Sequence, residues 1–163
     1  MVDACRGSAR RVFNIAALAV LLCAPPAWAF DYMRYEATDL DALLAQPRPR
    51  SGVDIYRAQP FKFKVTLVSY AEGCLTSLLD NSMIKAGVPK AQVDTLQVTS
   101  CIMVRSVQGK ELRMFIQDVV ASFLPKEVPL GSPVTLLAIH VFTTAEGPGL
   151  LVNEFVAEAA SDK

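Results

Sequence analysis

Two runs with different hydrophobic periods, joined by a pair of cysteines, constrain this chain most. Residues 61–70, Phe-Lys-Phe-Lys-Val-Thr-Leu-Val-Ser-Tyr, alternate apolar and polar side chains. A period of two puts Phe61, Phe63, Val65 and Leu67 on one face of a strand. Lys62, Lys64, Thr66, Val68 and Tyr70 share the other face. Between 75 and 86 the period changes. Leu75, Leu78, Leu79, Met83 and Ala86 recur at three- and four-residue spacing, the pattern of a helix with one apolar stripe. Gly87 and Pro89 stop it. A second extended run, from about 96 to 106, aligns Leu96, Val98, Ser100, Ile102 and Val104. Cys74 stands at the start of the helix and Cys101 lies in the second strand. The unit reads as strand, helix, strand, clasped by a Cys74–Cys101 disulfide.

The compartment follows from the other end of the chain. Residues 1–29 read as an export signal: Arg6, Arg10 and Arg11, then an apolar stretch at 15–23 too short to span a bilayer. Ala27-Trp28-Ala29 is an A-x-A site, with cleavage expected after Ala29. Arg10-Arg11-Val12-Phe13 is similar to part of a twin-arginine signal, but Ala9 stands where Ser or Thr is usual. The strongly apolar stretch suits the general secretory route better. Cys23 is a poor lipidation site, because Leu22 precedes it where a small residue is wanted. Cleavage removes Cys5 and Cys23 and leaves an even pair for an oxidising space, so the mature protein is expected to be periplasmic or secreted. Closing a loop of about 28 residues stabilises by about 3–4 kcal/mol in the chain-entropy account. Two free thiols are the alternative; a metal pair lacks the close cysteine spacing of a zinc site.

The 134 residues after the signal carry 13 basic and 15 acidic side chains, a formal net charge of −2. That balance gives no drive toward nucleic acid or anionic membrane. No later stretch is long and apolar enough to cross a bilayer. A chain this long buries one core. Residues 30–52 read as a short helix, 39–46, capped by Thr38 and followed by the linker Pro47-Arg48-Pro49-Arg50-Ser51-Gly52. This segment is expected to be the least firmly held. Residues 53–163 read as one β-rich domain. An edge strand at 53–57 precedes Pro60, and a third strand puts Leu112, Met114 and Ile116 inward. Residues 119–124 make at most one helical turn before Pro125, and a hairpin runs out over 134–143 and back over 150–156. Both faces of the outgoing hairpin strand are apolar, which places it centrally.

These elements predict an α+β, β-rich fold: a small curved antiparallel sheet or partly open five-stranded barrel, with one main helix between the first and second strands. In strand count it is similar to an oligonucleotide- or oligosaccharide-binding barrel. That architecture carries its helix between the third and fourth strands, where this chain offers only 119–124.

Candidate sites are few. Lys62, Lys64 and Tyr70 on the first strand, Arg105 on the second, and Arg113 and Phe115 on the third form a basic face with aromatics. Such a face holds anionic or glycan-like chains by charge and stacking. It also serves as a solvated face that discourages edge pairing. His140, the one histidine, is expected to face Asn153 across the hairpin as a hydrogen-bonded pair in the core. No nucleophile elbow, Walker loop, dinucleotide loop or calcium loop occurs, so neither cofactor nor metal is expected. The reading is an exported, non-enzymatic binding module. Its partner would be another exported protein, an envelope polymer or a small anionic ligand. The rivals are a small hydrolase using His140 with Asp118 or Glu154, and an enzyme inhibitor presenting the turn Ala145-Glu146-Gly147-Pro148-Gly149.

Overall fold

A computed structural model describes residues 31–158. The expected signal, its cleavage site, Cys5 and Cys23 lie outside the described residues. Alternation runs furthest in β2, Val53–Gly73, a single strand of 21 residues. The sequence divides this span at Pro60; the structure does not. Thr38 N–H donates to the Lys62 carbonyl, so the backbone groups of Lys62, and of Pro60 two residues earlier, face the same flank. On that flank β1, Glu36–Ala37, first pairs at Phe61, and β3, Ser100–Arg105, first pairs at Thr66. The donor that Pro60 lacks therefore breaks no ladder.

The chain continues as α2, Ser77–Lys85, and α3, Lys90–Thr95, before β3. β4, Glu111–Ile116, α4, Asp118–Glu127, β5, Pro133–Thr144, and β6, Pro148–Ala157, complete it. The sheet order is β1-β2-β3-β4-β6-β5, and β5 returns to pair with β2. β2 to β6 thus form a ring of five strands. Contacts β1–β2 and β4–β6 are parallel, so the sheet is mixed where an antiparallel one was expected. The fold is α+β and strand-rich, with α2 between the first and second ring strands as the spacing predicts.

Four local expectations are corrected. α2 begins at Ser77, and it buries Leu79, Ser82 and Met83. Leu75 precedes the helix and is 90% exposed, and Leu78 is 39% exposed, so the stripe is narrower than its spacing implies. β3 starts at Ser100; Leu96 is spent terminating α3. α4 passes through Pro125 instead of stopping there. Pro125 sits near the helix end and removes one hydrogen bond, while Val120 and Leu124 dock in the core and Val128 N–H still reaches the Leu124 carbonyl at 2.9 Å. The helix between the third and fourth ring strands, absent from the pattern, is therefore present.

The fourth correction concerns the N-terminal segment. α1, Leu40–Leu44, is capped by Asp39, whose carboxylate accepts from Asp41 N–H at 3.0 Å; Thr38 does not cap it. Leu40, Leu43 and Leu44 are buried in the main core with side chains from every ring strand and from α4. A second core lies beneath α2 and α3, where Leu79, Met83 and Val93 pack on Val141, Phe142 and Leu151. β5 is thus covered on both faces. Cys74 and Cys101 form a disulfide, with their Cα atoms 5.8 Å apart. It ties the segment leading into α2 to the sheet.

Candidate functional site

β4 turns Met114 and Ile116 into the ring and Arg113 and Phe115 outward. Opposite them on β3 stand Met103, paired with Arg113, and Cys101, paired with Phe115. Leu78 overhangs from α2. The far wall is the turn between β5 and β6, from Thr144 to Gly149. Arg113, Phe115, Met103 and Leu78, with Glu111, Leu112, Phe142 and most of that turn, line a cleft of about 400 Å³. Its floor is apolar and its rim carries Arg113, Glu111 and Glu146. Glu111 is held by Arg105, Nη2 to Oε1 at 2.8 Å. The Glu146 carboxyl is held below its usual range by the Thr144 hydroxyl and its own N–H. Arg113 has no ion-pair partner among the described residues.

The turn that walls this cleft is tied down from three sides. Thr144 N–H donates to the Gly147 carbonyl at 2.9 Å and Gly147 N–H returns to Thr144 at 3.2 Å. Arg48 donates from Nη1 to the Glu146 carbonyl at 3.0 Å and from Nη2 to the Leu44 carbonyl at 3.2 Å, which ties the turn to α1. Gly149 lies under the Phe142 ring so closely that a Cβ there would meet Cζ at 2.2 Å. Gly147, Pro148 and Gly149 are buried, and Ala145 and Glu146 at the tip are exposed.

The predicted basic face divides. Lys62 and Lys64 do point outward, but they line a different cleft of about 480 Å³, with Thr38, Asp39, Val107 and Thr135. Lys64 is paired with Glu158 at 2.5 Å. Arg105 is taken by Glu111, and only Arg113 and Phe115 line the cleft beside β4. Tyr70 leaves the face altogether. Register shifts between Leu67 and Glu72 turn it toward the main core, where its hydroxyl donates to the Val128 carbonyl at 3.2 Å. Simple alternation cannot anticipate a bulge, which reverses every side chain beyond it.

The His140–Asn153 pair does not form. The hairpin closes with Thr143 opposite Pro148, two residues tighter than a His140–Asn153 pairing needs, and the shift at 140/142 then sets His140 opposite Leu150. Its Nε2 lies 2.9 Å from both the Phe142 carbonyl and the Thr143 hydroxyl. The ring is 3% exposed and packs on Tyr56, centroids 4.8 Å apart. Burial lowers its pKa, against the opposing pull of the Phe142 carbonyl. Asn153 instead donates from Nδ2 to the Tyr35 hydroxyl at 3.2 Å. Neither acid proposed to serve His140 bonds to it: Asp118 accepts from Thr99 and Ser100, and Glu154 accepts from Phe155 N–H.

Sequence reasoning missed Asp41. It is buried, accepts from Ser106 Oγ at 2.7 Å and Gln108 N–H at 2.9 Å, and lies 3.8 Å from Lys110 Nζ. Burial pushes its pKa up, but those three partners together hold it below the ordinary value. It fastens α1 to the β3–β4 turn. Arg48 was missed as well, because nothing in a proline-flanked arginine signals a clamp on a turn about a hundred residues away.

Among the described residues no cluster of three or more His, Cys, Asp or Glu could hold a metal, and no helix is long and apolar enough to cross a membrane. Compared with known proteins, the chain matches no family model and no curated protein sequence, so its site rests on its own geometry.

Proposed function

We propose that this protein is an exported, non-enzymatic binding module, periplasmic or secreted, whose ligand occupies the cleft between β4 and the β5–β6 turn. One observation carries the reading: side chains from α2, β3, β4 and the β5–β6 turn, far apart in sequence, converge on one cleft of ligand-sized volume. Apolar walls supply contact area, and Arg113 supplies a charge that no described residue neutralises. In five-stranded barrels of the oligonucleotide- and oligosaccharide-binding type, the second and third strands and the loops after the first and fourth strands form the binding face. β3, β4, the α2 segment and the β5–β6 turn occupy those positions here. That is an analogy of architecture and supports the place, not the ligand.

Export is supported by the signal-like start of the chain and by the Cys74–Cys101 disulfide, which suits an oxidising compartment. Acid–base chemistry at His140 has less support, because its ring nitrogen is engaged by Phe142 and Thr143 in the core. The test is retention of envelope-fraction components on immobilised mature protein, compared with Arg113→Gln and Leu78→Ser, two substitutions on exposed cleft residues. A ligand held by the wild type and released by both variants is expected. Equal retention on all three would remove the cleft from consideration.

A further inference from the structure

Building on the reading that this cleft holds the ligand, we propose that its occupant is the extended C-terminal end of another polypeptide, paired as a short strand with the free edge of β4. β3 covers all of β4 on one flank, from Glu111 to Ile116. β6 covers the other flank only at Phe115 and Ile116. Which backbone groups that leaves open can be read from the ladder. Ser106 N–H donates to the Lys110 carbonyl at 2.8 Å, and Gln117 N–H donates to the Val152 carbonyl at 3.1 Å. A residue's N–H and C=O point to the same flank of a strand, and successive residues alternate. Leu112, Met114 and Ile116 therefore address β3, while Glu111, Arg113 and Phe115 address β6. Phe115 finds β6 there. Glu111 and Arg113 find the seam where β4 and the β5–β6 turn diverge, and that seam is the cleft.

An unpaired strand edge beside side-chain pockets is the geometry of strand addition: main-chain bonds give affinity and the pockets select alternate side chains. Met103, Phe115 and Leu78 offer apolar contact to one face of a guest strand. The guest cannot continue past Phe115, because β6 already holds that flank, so it ends there. A guest running parallel to β4 brings its C-terminus to that point, beside Arg113. Among the cleft's charges, Glu111 is engaged by Arg105 and Glu146 by its own turn. Arg113 is left to receive a terminal carboxylate.

The probe is a library of random heptapeptides displayed with free C-termini, selected on the mature, oxidised protein. The best binder is then made as the free acid and as the C-terminal amide. The free acid is expected to bind and the amide to bind about tenfold more weakly, the loss of one charge-assisted contact. Arg113→Gln should erase that difference. Amide hydrogen exchange should slow at Glu111 and Arg113 and stay unchanged at Leu112 and Met114. Peptides that bind equally well as amides, or that leave the Glu111 and Arg113 amides unprotected, overturn the proposal. So does a selection that yields no binder. In each case the cleft itself stands or falls separately, by whether the envelope ligand is lost from Arg113→Gln and Leu78→Ser.

Discussion

Replacing Gly149 by alanine tests how the cleft wall is built. Gly149 lies opposite Phe142 at the start of β6, and its φ is not in the left-handed region, so alanine strains no backbone angle. The cost is purely steric. An added Cβ would meet Phe142 Cζ at 2.2 Å and both Cε atoms at 2.4 Å. A carbon–carbon contact relaxes at about 3.5 Å, so the ring must retreat by about 1.3 Å. It has little room: Phe142 is 4% exposed, packs at 6.2 Å on Phe115 and pairs with Ile55 across β2. Overpacking of a closed site costs about 1–3 kcal/mol, and a ring confined on several sides falls no lower than the middle of that range. With a urea m-value of about 2 kcal/mol/M, a loss of about 2 kcal/mol lowers the midpoint by about 1 M. The decisive assay is a double-mutant cycle in urea. Phe142→Leu destabilises by itself, but Gly149→Ala in that background should cost less than about 0.5 kcal/mol, because the obstructing ring is gone. Strict additivity, or a single Gly149→Ala variant as stable as the wild type, would refute the steric account.

Three further outcomes follow from the same structure. Cys74→Ser with Cys101→Ser should lose about 3–4 kcal/mol in equilibrium unfolding, the chain-entropy value for a loop of about 28 residues, and a loss below about 1 kcal/mol would mean the clasp contributes little. For His140 the folded pKa lies below its ordinary value of 6.5, so the unfolded chain binds a proton that the folded one refuses. Its stability contribution is complete above pH 6.5 and declines as pH falls below it, and His140→Gln should flatten that part of the stability–pH profile measured by urea titration. Asp41 is also depressed, from an ordinary value of 3.8, so its contribution is present above that pH and is lost as pH falls through the lower folded value; acid unfolding of Asp41→Asn should be less steep below about pH 4 than that of the wild type.

The clasp and the architecture were legible because they rest on local signals. The disulfide follows from the two cysteines left once residues 1–29 are read as an export signal, and the helix between the first two ring strands follows from a 3.6-residue period. What stayed hidden was long-range. Tyr70 was misplaced by register shifts in β2, and His140 by a hairpin that closes two residues tighter than its expected pairing together with the shift at 140/142; neither leaves a mark in alternation. The basic face looked continuous because Glu158 and Glu111, which neutralise Lys64 and Arg105, are not signalled as partners by the spacing. Arg113 and Phe115 do line one cleft, but the turn that walls it was read as a hairpin end and as an inhibitor's loop, not as part of a site with them. The parallel β4–β6 contact, which leaves one flank of β4 open from Glu111 to Met114, joins strands that are not consecutive in the chain, and neighbour-to-neighbour pattern reading cannot propose it.

The most direct measurement is an amide chemical-shift map of isotope-labelled residues 30–163, taken before and after addition of a component that the immobilised protein retains from an envelope fraction. Shifts concentrated at Met103, at 111–115 and at 144–149, with the Lys62–Lys64 side of β2 undisturbed, are what a ligand seated between β4 and the β5–β6 turn produces. Shifts centred on Lys62, Lys64 and Val107 with none along β4 would contradict it.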